Sequence, residues 1–253
     1  APLGEPQPLS VDITSMLKNF KKDKEIEINL IISKSPNVPL EIRKICKKIY
    51  QIKGSTYSVK DNLKFTWKAF SILRKENSIN KIDILHAIYP NSSLLACSLF
   101  KLINLKANII YEVRSPWIDM SVSQGYINKN IINIYKFLLY NEERLLSLFV
   151  NKFIFISEGL KDYYKSKFFI GIKNYSIIPS GVDTKVFKKI KSDIRKKYRL
   201  NNSDVLIGYV GSIEKKRQLE DFISIFKEIS KTNSKLKLMF VGEGNSKQNL
   251  QEL

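Results

Sequence analysis

Two neighbouring segments decide how this chain folds: YSIIPSGVDTKVF, residues 175–187, and VLIGYVGSIEKKR, residues 205–217. The first reads as an apolar strand running into a tight Pro-Ser-Gly-Val-Asp turn that opens a polar connector. The second reads as an apolar strand that stops at Gly211, with a basic helix start behind it. A buried strand ending in glycine ahead of a helix makes a pocket for anionic groups. The absent side chain admits a ligand to the backbone, and the helix's unpaired N–H groups and dipole favour phosphate. Lys215, Lys216 and Arg217 stand where they add formal positive charge.

Ahead of these segments the chain alternates. Residues 1–8 (APLGEPQP) form a Pro/Gly turn, and SVDITSMLKNFKK follows as a helix with no strand before it. EIEINLIIS is a strand, while LEIRKICKKI and NLKFTWKAFSILRK read as amphipathic helices. KIDILHAIY, ANIIYEV and NKFIFIS are strands separated by the helices SSLLACSLFKLI and INIYKFLLYNEERLLSLF, and EGLKDYYKSK is a further helix. The aromatic-rich helix over residues 131–149 is read as core. Continuous Ile/Val/Phe strands alternating with helices specify an α/β fold with a parallel, doubly wound sheet covered on both faces.

The expected organisation is a first domain over residues 1–182, a connector over 183–203 carrying the helix DIRKKYRL, and a second domain over 204–253. In the second, VLIGYVG, QLEDFISIFKEISK and LKLMFVG repeat the strand–helix–strand pattern before SKQNLQEL opens another helix. Two strands and their helices are too few for a domain, so this one is expected to be incomplete. The first domain also lacks the strand normally found ahead of its opening loop.

Composition narrows the function classes. The chain has 253 residues, 43% apolar and 26% charged, which supports a folded core and argues against disorder. Lys+Arg 43 against Asp+Glu 24 gives 43 − 24 = +19. Such an excess suits phosphorylated substrates, an anionic membrane surface or nucleic acid. The lysines are spread along the chain, in a sequence rich in Lys, Ile and Asn, and form no stripe with interleaved aromatics. Nucleic acid is therefore not expected as a partner. Cys46 and Cys97 sit in apolar patterns without metal-ligand spacing and read as reduced core thiols. No stretch approaches the roughly 20 apolar residues of a membrane span, and no signal peptide is evident. The expected location is the cytoplasm, with any contact at the inner face of the membrane peripheral.

The order of several motifs carries a resemblance. IIPSGVDTKVF resembles the "IPNGVD…F" hinge of the retaining GT-B glycosyltransferases (family 4, or glycosyl transferases group 1). YVGSIEKKRQLEDFI is similar to that group's phosphate-binding strand-loop-helix, and LMFVGEGNSKQNLQEL to its "VG-acidic-G" strand end. YEVRSPWIDM, YNEERLLSLF and FISEGLKDYY resemble "YEVR…W", "ER…AD" and "ISEGL" of members that build bacterial surface polysaccharides. The resemblance implies two Rossmann-like domains facing across a cleft, the second incomplete here. It implies sugar transfer with retention from a UDP- or GDP-linked donor to a polysaccharide or lipid-linked acceptor. It also implies no metal and no cofactor beyond the nucleotide sugar, and the sequence has no Asp-x-Asp pair. The family's paired-glutamate motif finds no counterpart, so the chain alone is expected to be inactive. An epimerase on the same fold and a non-catalytic basic binding protein are the alternatives.

The residues expected at the site follow from these matches. On the donor side are Gly4, Gly181, Gly211, Ser212, Lys216, Arg217, Gly242, Glu243 and Gly244. Charge builds on the departing diphosphate, and Lys216 or Arg217 is placed to meet it. The relatives' Lys-Gly pair is matched by Arg217-Gln218, or by Lys216 if the loop is one residue shorter. Gly181 is expected to supply a positive φ and Asp183 a backbone cap; Gly242 to Gly244 border the nucleotide base or form an ordinary turn. Glu112 and Arg114 end the strand ANIIYEV, the edge where such sheets bind ligands, and are the catalytic candidates there: Arg114 as a contact to an acceptor phosphate or to the donor and Glu112 as a cleft residue, with a structural salt bridge between them as the alternative. Trp117 either stacks on a sugar or lipid headgroup or caps the core. His86, the one histidine, is a candidate acid/base or a structural residue. Ser157 and Glu158 read as a helix cap.

Overall fold

A computed structural model describes residues 8–35, 38–53, 59–89, 91–119, 132–168, 172 and 174–253. It separates into two compact units, residues 1–187 and 188–253.

In the first unit, α1 (Pro8–Phe20) leads to β1 (Asn29–Ser33), α2 (Leu40–Ile45), β2 (Lys48–Ile52) and α3 (Val59–Ile79). Next come β3 (Ile84–Ile88), α4 (Asn91–Ile103), β4 (Asn108–Val113), α5 (Ile132–Ser147), β5 (Lys152–Phe155), α6 (Glu158–Phe168) and β6 (Tyr175–Ile177). β1 pairs with β2, and β3, β4, β5 and β6 form a four-stranded sheet in that order. Every pairing is parallel, as the continuous apolar runs predict.

One expectation fails here. LEIRKICKKI is not a single helix: α2 ends at Ile45, and Lys48–Ile52 is a strand in register with β1. Ile45, Ile49 and Ile52 share helical spacing, which hides the switch in period. The deciding fact is long-range: Asn29 to Ser33 offer a parallel partner, and no local pattern records it.

The main core lies around β3–β6, where Ile109, Val113, Phe155, Phe100 and Leu94 are fully buried. Each such side chain contributes about 1.5–3 kcal/mol on burial. A second cluster of Leu17, Ile32, Val38, Ile42 and Cys46 holds α1 and α2 against β1. Cys46 and Cys97 are both free and buried. The helix read as core is only half so. α5 buries Glu143, Leu146 and Ser147, yet Ile134, Phe137, Leu138 and Leu145 on its other side are exposed.

The second unit holds α7 (Ile194–Lys197), β7 (Val205–Val210), a 3₁₀ turn (Lys215–Arg217), α8 (Leu219–Thr232), β8 (Leu236–Val241) and α9 (Lys247–Glu252). β7 and β8 pair in parallel over their whole length. α8 buries Leu219 and Ile223, and Phe222 meets Phe240 of β8 edge-on with ring centroids 6.2 Å apart. Among the described residues no helix is long and apolar enough to cross a membrane.

Candidate functional site

The C-terminal end of β4 builds two polar clusters because successive strand residues point to opposite faces. Glu112 takes one face. His86 of β3 pairs in register with Ile110, two residues before Glu112, so both side chains stand on the same side. His86 Nε2 lies 2.9 Å from Glu112 Oε2, and Arg114 reaches Glu112 Oε1 through Nε at 2.7 Å and a terminal nitrogen at 2.5 Å. His86 Nε2 is buried, and the Glu112 carboxylate is the charged group that faces it. Burial alone would push the Glu112 carboxyl up. Contact with His86 and the charge of Arg114 outweigh it and hold Glu112 below the usual carboxylate range. The structure thus brings together three residues expected at this edge.

Tyr111 takes the other face. Its hydroxyl donates to Glu143 of α5 at 2.8 Å, and Tyr164 of α6 donates to the same Glu143 oxygen at 3.2 Å. Asn91, which opens α4, accepts from the Trp117 indole N–H at 3.1 Å. Glu143 Oε2 and Asn91 Nδ2 are buried with no hydrogen-bond partner among the described residues. Glu143 is 2% exposed, and burial pushes its carboxyl up to about 7 against the pull of the tyrosine hydroxyls. The two buried carboxyls that β4 holds, Glu112 of its own and Glu143 through Tyr111, are therefore driven in opposite directions.

Sequence reasoning did not single out Glu143. The signal was available: it sits at the helical spacing of Tyr140 and Leu146, a carboxylate on the inward face. Trp117 is half-buried, packed on the core and 6.1 Å from the Tyr89 ring, so its indole N–H and one face are already engaged.

In the second unit the loop after β7 meets the loop after β8. Gly211 N donates to Val241 O at 3.0 Å and Ile213 N to Glu243 O at 2.9 Å, which continues the strand ladder into the turn. The Gly211 and Ile213 amides are thus consumed by the fold. Ser212 stays close to Arg217, whose Nε lies 3.4 Å from Ser212 Oγ. Of Lys216 only the backbone is described. The expected basic helix start is a 3₁₀ turn, and α8 itself begins with Glu220 and Asp221 in its first turn. Those carboxylates already complement the helix dipole, so cationic side chains must supply the attraction for a phosphate.

The glycines divide by what a side chain would meet. A Cβ on Gly242 would sit 1.8 Å from Gly211 O, and one on Gly244 2.0 Å from Ile213 O. Both are required by the contact between loops. Glu243 is exposed and paired with Lys247 at 2.7 Å. Gly181 does not have the expected positive φ, and a Cβ there would meet nothing within 4 Å. Nothing local requires glycine at that turn. Asp183 does cap it, accepting from Lys185 N at 2.9 Å. Ser157 caps α6 through Leu160 N at 3.2 Å. Gln218 holds a left-handed conformation, φ 52° and ψ 39°, directly before α8. That is the geometry a glycine serves best. Gly4 lies outside the described residues.

Comparison with known proteins gives three findings. Residues 14–186 match the model of Glycosyltransferase Family 4, and residues 190–253 match that of Glycosyl transferases group 1. A search of curated proteins gives no match. A solved S. aureus structure, a co-structure of MnaA with UDP, superposes with TM-score 0.54 at 12% identity, covering 97% of this chain and 61% of that one. The chain thus spans about three fifths of that protein's length, and the likeness is one of fold.

Proposed function

Because the chain belongs to Glycosyltransferase Family 4, and has the GT-B type of fold, we propose that it works in transferring a sugar from a nucleotide donor to an acceptor. The observation that carries this reading is the tandem match of two glycosyltransferase families, over residues 14–186 and 190–253. The donor is UDP- or GDP-linked, no further cofactor or metal takes part, and the anomeric configuration is retained. The acceptor is a growing polysaccharide or a lipid-linked glycan presented at the inner face of the cell membrane.

The geometry supports a division of roles. In the second unit, Arg217 beside Ser212 meets the donor diphosphate as charge develops on it. In the first, Arg114 meets an anionic group of the acceptor. Glu112, kept ionised, fixes the direction of that guanidinium through two contacts to one oxygen. His86, on the same carboxylate, is the proton-exchanging candidate.

The test is an incubation of the full-length protein with a panel of UDP- and GDP-sugars, reading released nucleotide diphosphate and sugar product. The expected result is turnover of one donor, reduced about a hundredfold or more by Arg114→Ala. If no nucleotide sugar is bound or cleaved, the proposal is wrong. Conversion of the sugar nucleotide to an isomer, with no transfer, would make the protein an epimerase instead.

A further inference from the structure

The outward face of α3 does not look like an ordinary solvated helix face. Lys60, Leu63, Lys64, Trp67, Lys68 and Lys75 are all exposed. At 3.6 residues per turn they fall within an arc of about 140°. Leu63 and Trp67, one turn apart, are 60% and 66% exposed. The helix has two carboxylates against four lysines and one arginine. Asp61 is half-buried, and Glu76 is buried and held by Lys48 at 2.8 Å and by Tyr50. Lysines along the chain thus do gather, on one helix, around an exposed indole and an exposed aliphatic side chain. The sequence hid this because α3 also carries an inward face of Thr66, Ala69, Leu73 and Glu76, which interrupts the run.

We infer that this face docks the first unit on an anionic lipid surface. Trp67 and Leu63 enter the headgroup layer while the lysines neutralise lipid phosphates. Charge complementarity selects this occupant: clustered cations around a small apolar tip are what an anionic bilayer surface attracts. Leu63 favours lipid over nucleic acid, since an aliphatic side chain gives bases nothing to stack on, and the face exposes a single aromatic. The exposed stripe of α5 carries no comparable ring of lysines. The inference deepens the proposed placement at a membrane and rests on that part of it alone. Binding is read without donor or acceptor, so failure here leaves the transfer reaction standing, and failure of transfer leaves this standing.

The experiment is sedimentation of the full chain with vesicles of phosphatidylcholine alone, or with about a third phosphatidylglycerol. The expected result is binding to the anionic vesicles only. It should weaken when salt rises from about 0.1 M to about 1 M, which shortens the screening length from about 10 to about 3 Å. Trp67→Ala, and separately Lys64→Glu with Lys68→Glu, each lower the partition coefficient about tenfold or more. Trp67 emission shifts to the blue on binding, isolated by difference from Trp67→Phe, and this reads the same contact without depending on the stability of the other variants. Equal binding to both vesicle types, variants within about twofold of the parent, an unmoved Trp67 emission, or tighter binding to an RNA oligonucleotide each overturn the inference.

Discussion

Replacing Glu143 by glutamine tests the polar cluster behind β4. The Glu143 carboxyl holds its proton in the folded state up to about pH 7, against an ordinary value of 4.5 in the unfolded chain. A carboxyl whose folded value is raised favours the folded state least when ionised. Stability from this group is therefore greatest below about pH 4.5 and falls as pH climbs to about 7, beyond which the loss is complete. At about 1.4 kcal/mol per pH unit, the difference costs the folded state about 3 kcal/mol at pH 8. Glutamine is neutral throughout, and its carbonyl can still accept from Tyr111 and Tyr164. Glu143→Gln should therefore match the parent at pH 5 to within about 1 kcal/mol and exceed it by about 3 kcal/mol at pH 8. In a thermal melt that is about 6–12 °C for a chain of this size. Glu112, held below the usual carboxylate range, titrates outside this window and does not mask it. Trp117, bonded to Asn91 in the same cluster, provides a local fluorescence signal beside the circular dichroism melt. A constant gap between parent and variant from pH 5 to pH 8 would refute an acid-form Glu143.

Three further outcomes follow from local geometry. Gly242→Ala puts a methyl group 1.8 Å from Gly211 O and should destabilise the second unit by about 2 kcal/mol or more in urea unfolding, whereas Gly181→Ala should change stability by less than about 0.5 kcal/mol. Gln218→Gly relieves a left-handed residue before α8 and should stabilise that unit by about 1 kcal/mol; a loss of stability would show that the Gln218 side chain matters more than its backbone. The Cys97 thiol, pushed up to about 12 by burial, should react with a disulfide reagent only at the rate of unfolding, and fast reaction in the folded state would contradict its burial.

Much of this was legible in the sequence, and the exceptions share a cause. The strands β3, β4, β5 and β7 are continuous apolar runs, so pattern alone locates them, but β7 is not the buried strand expected: Val205, Ile207 and Val210 are exposed, because a two-stranded sheet covers little of their surface. β2 was hidden because Ile45, Ile49 and Ile52 also fit a helix, and its true partner lies some twenty residues earlier in the chain. The Glu112–Arg114 pair was legible because both residues end one strand; His86 was read as following the strand KIDIL, but it lies within the neighbouring β3, in register with Ile110. Glu143 was not, since its importance depends on two tyrosines from β4 and α6 arriving at one carboxylate oxygen. The glycines show the same limit. Gly181 and Gly242 look alike as turn residues, yet only Gly242 faces a second loop, brought there by the pairing of β7 with β8.

The account depends most on the loop after β7 gripping a nucleotide diphosphate through Arg217. Calorimetric titration of the full-length protein with UDP and with GDP, alongside Arg217→Ala, tests this directly. The account predicts saturable binding of one nucleotide by the parent, weakened about tenfold to a hundredfold in the variant by loss of a charge-assisted contact. Equal affinities in parent and variant, or no binding of either nucleotide, would contradict it.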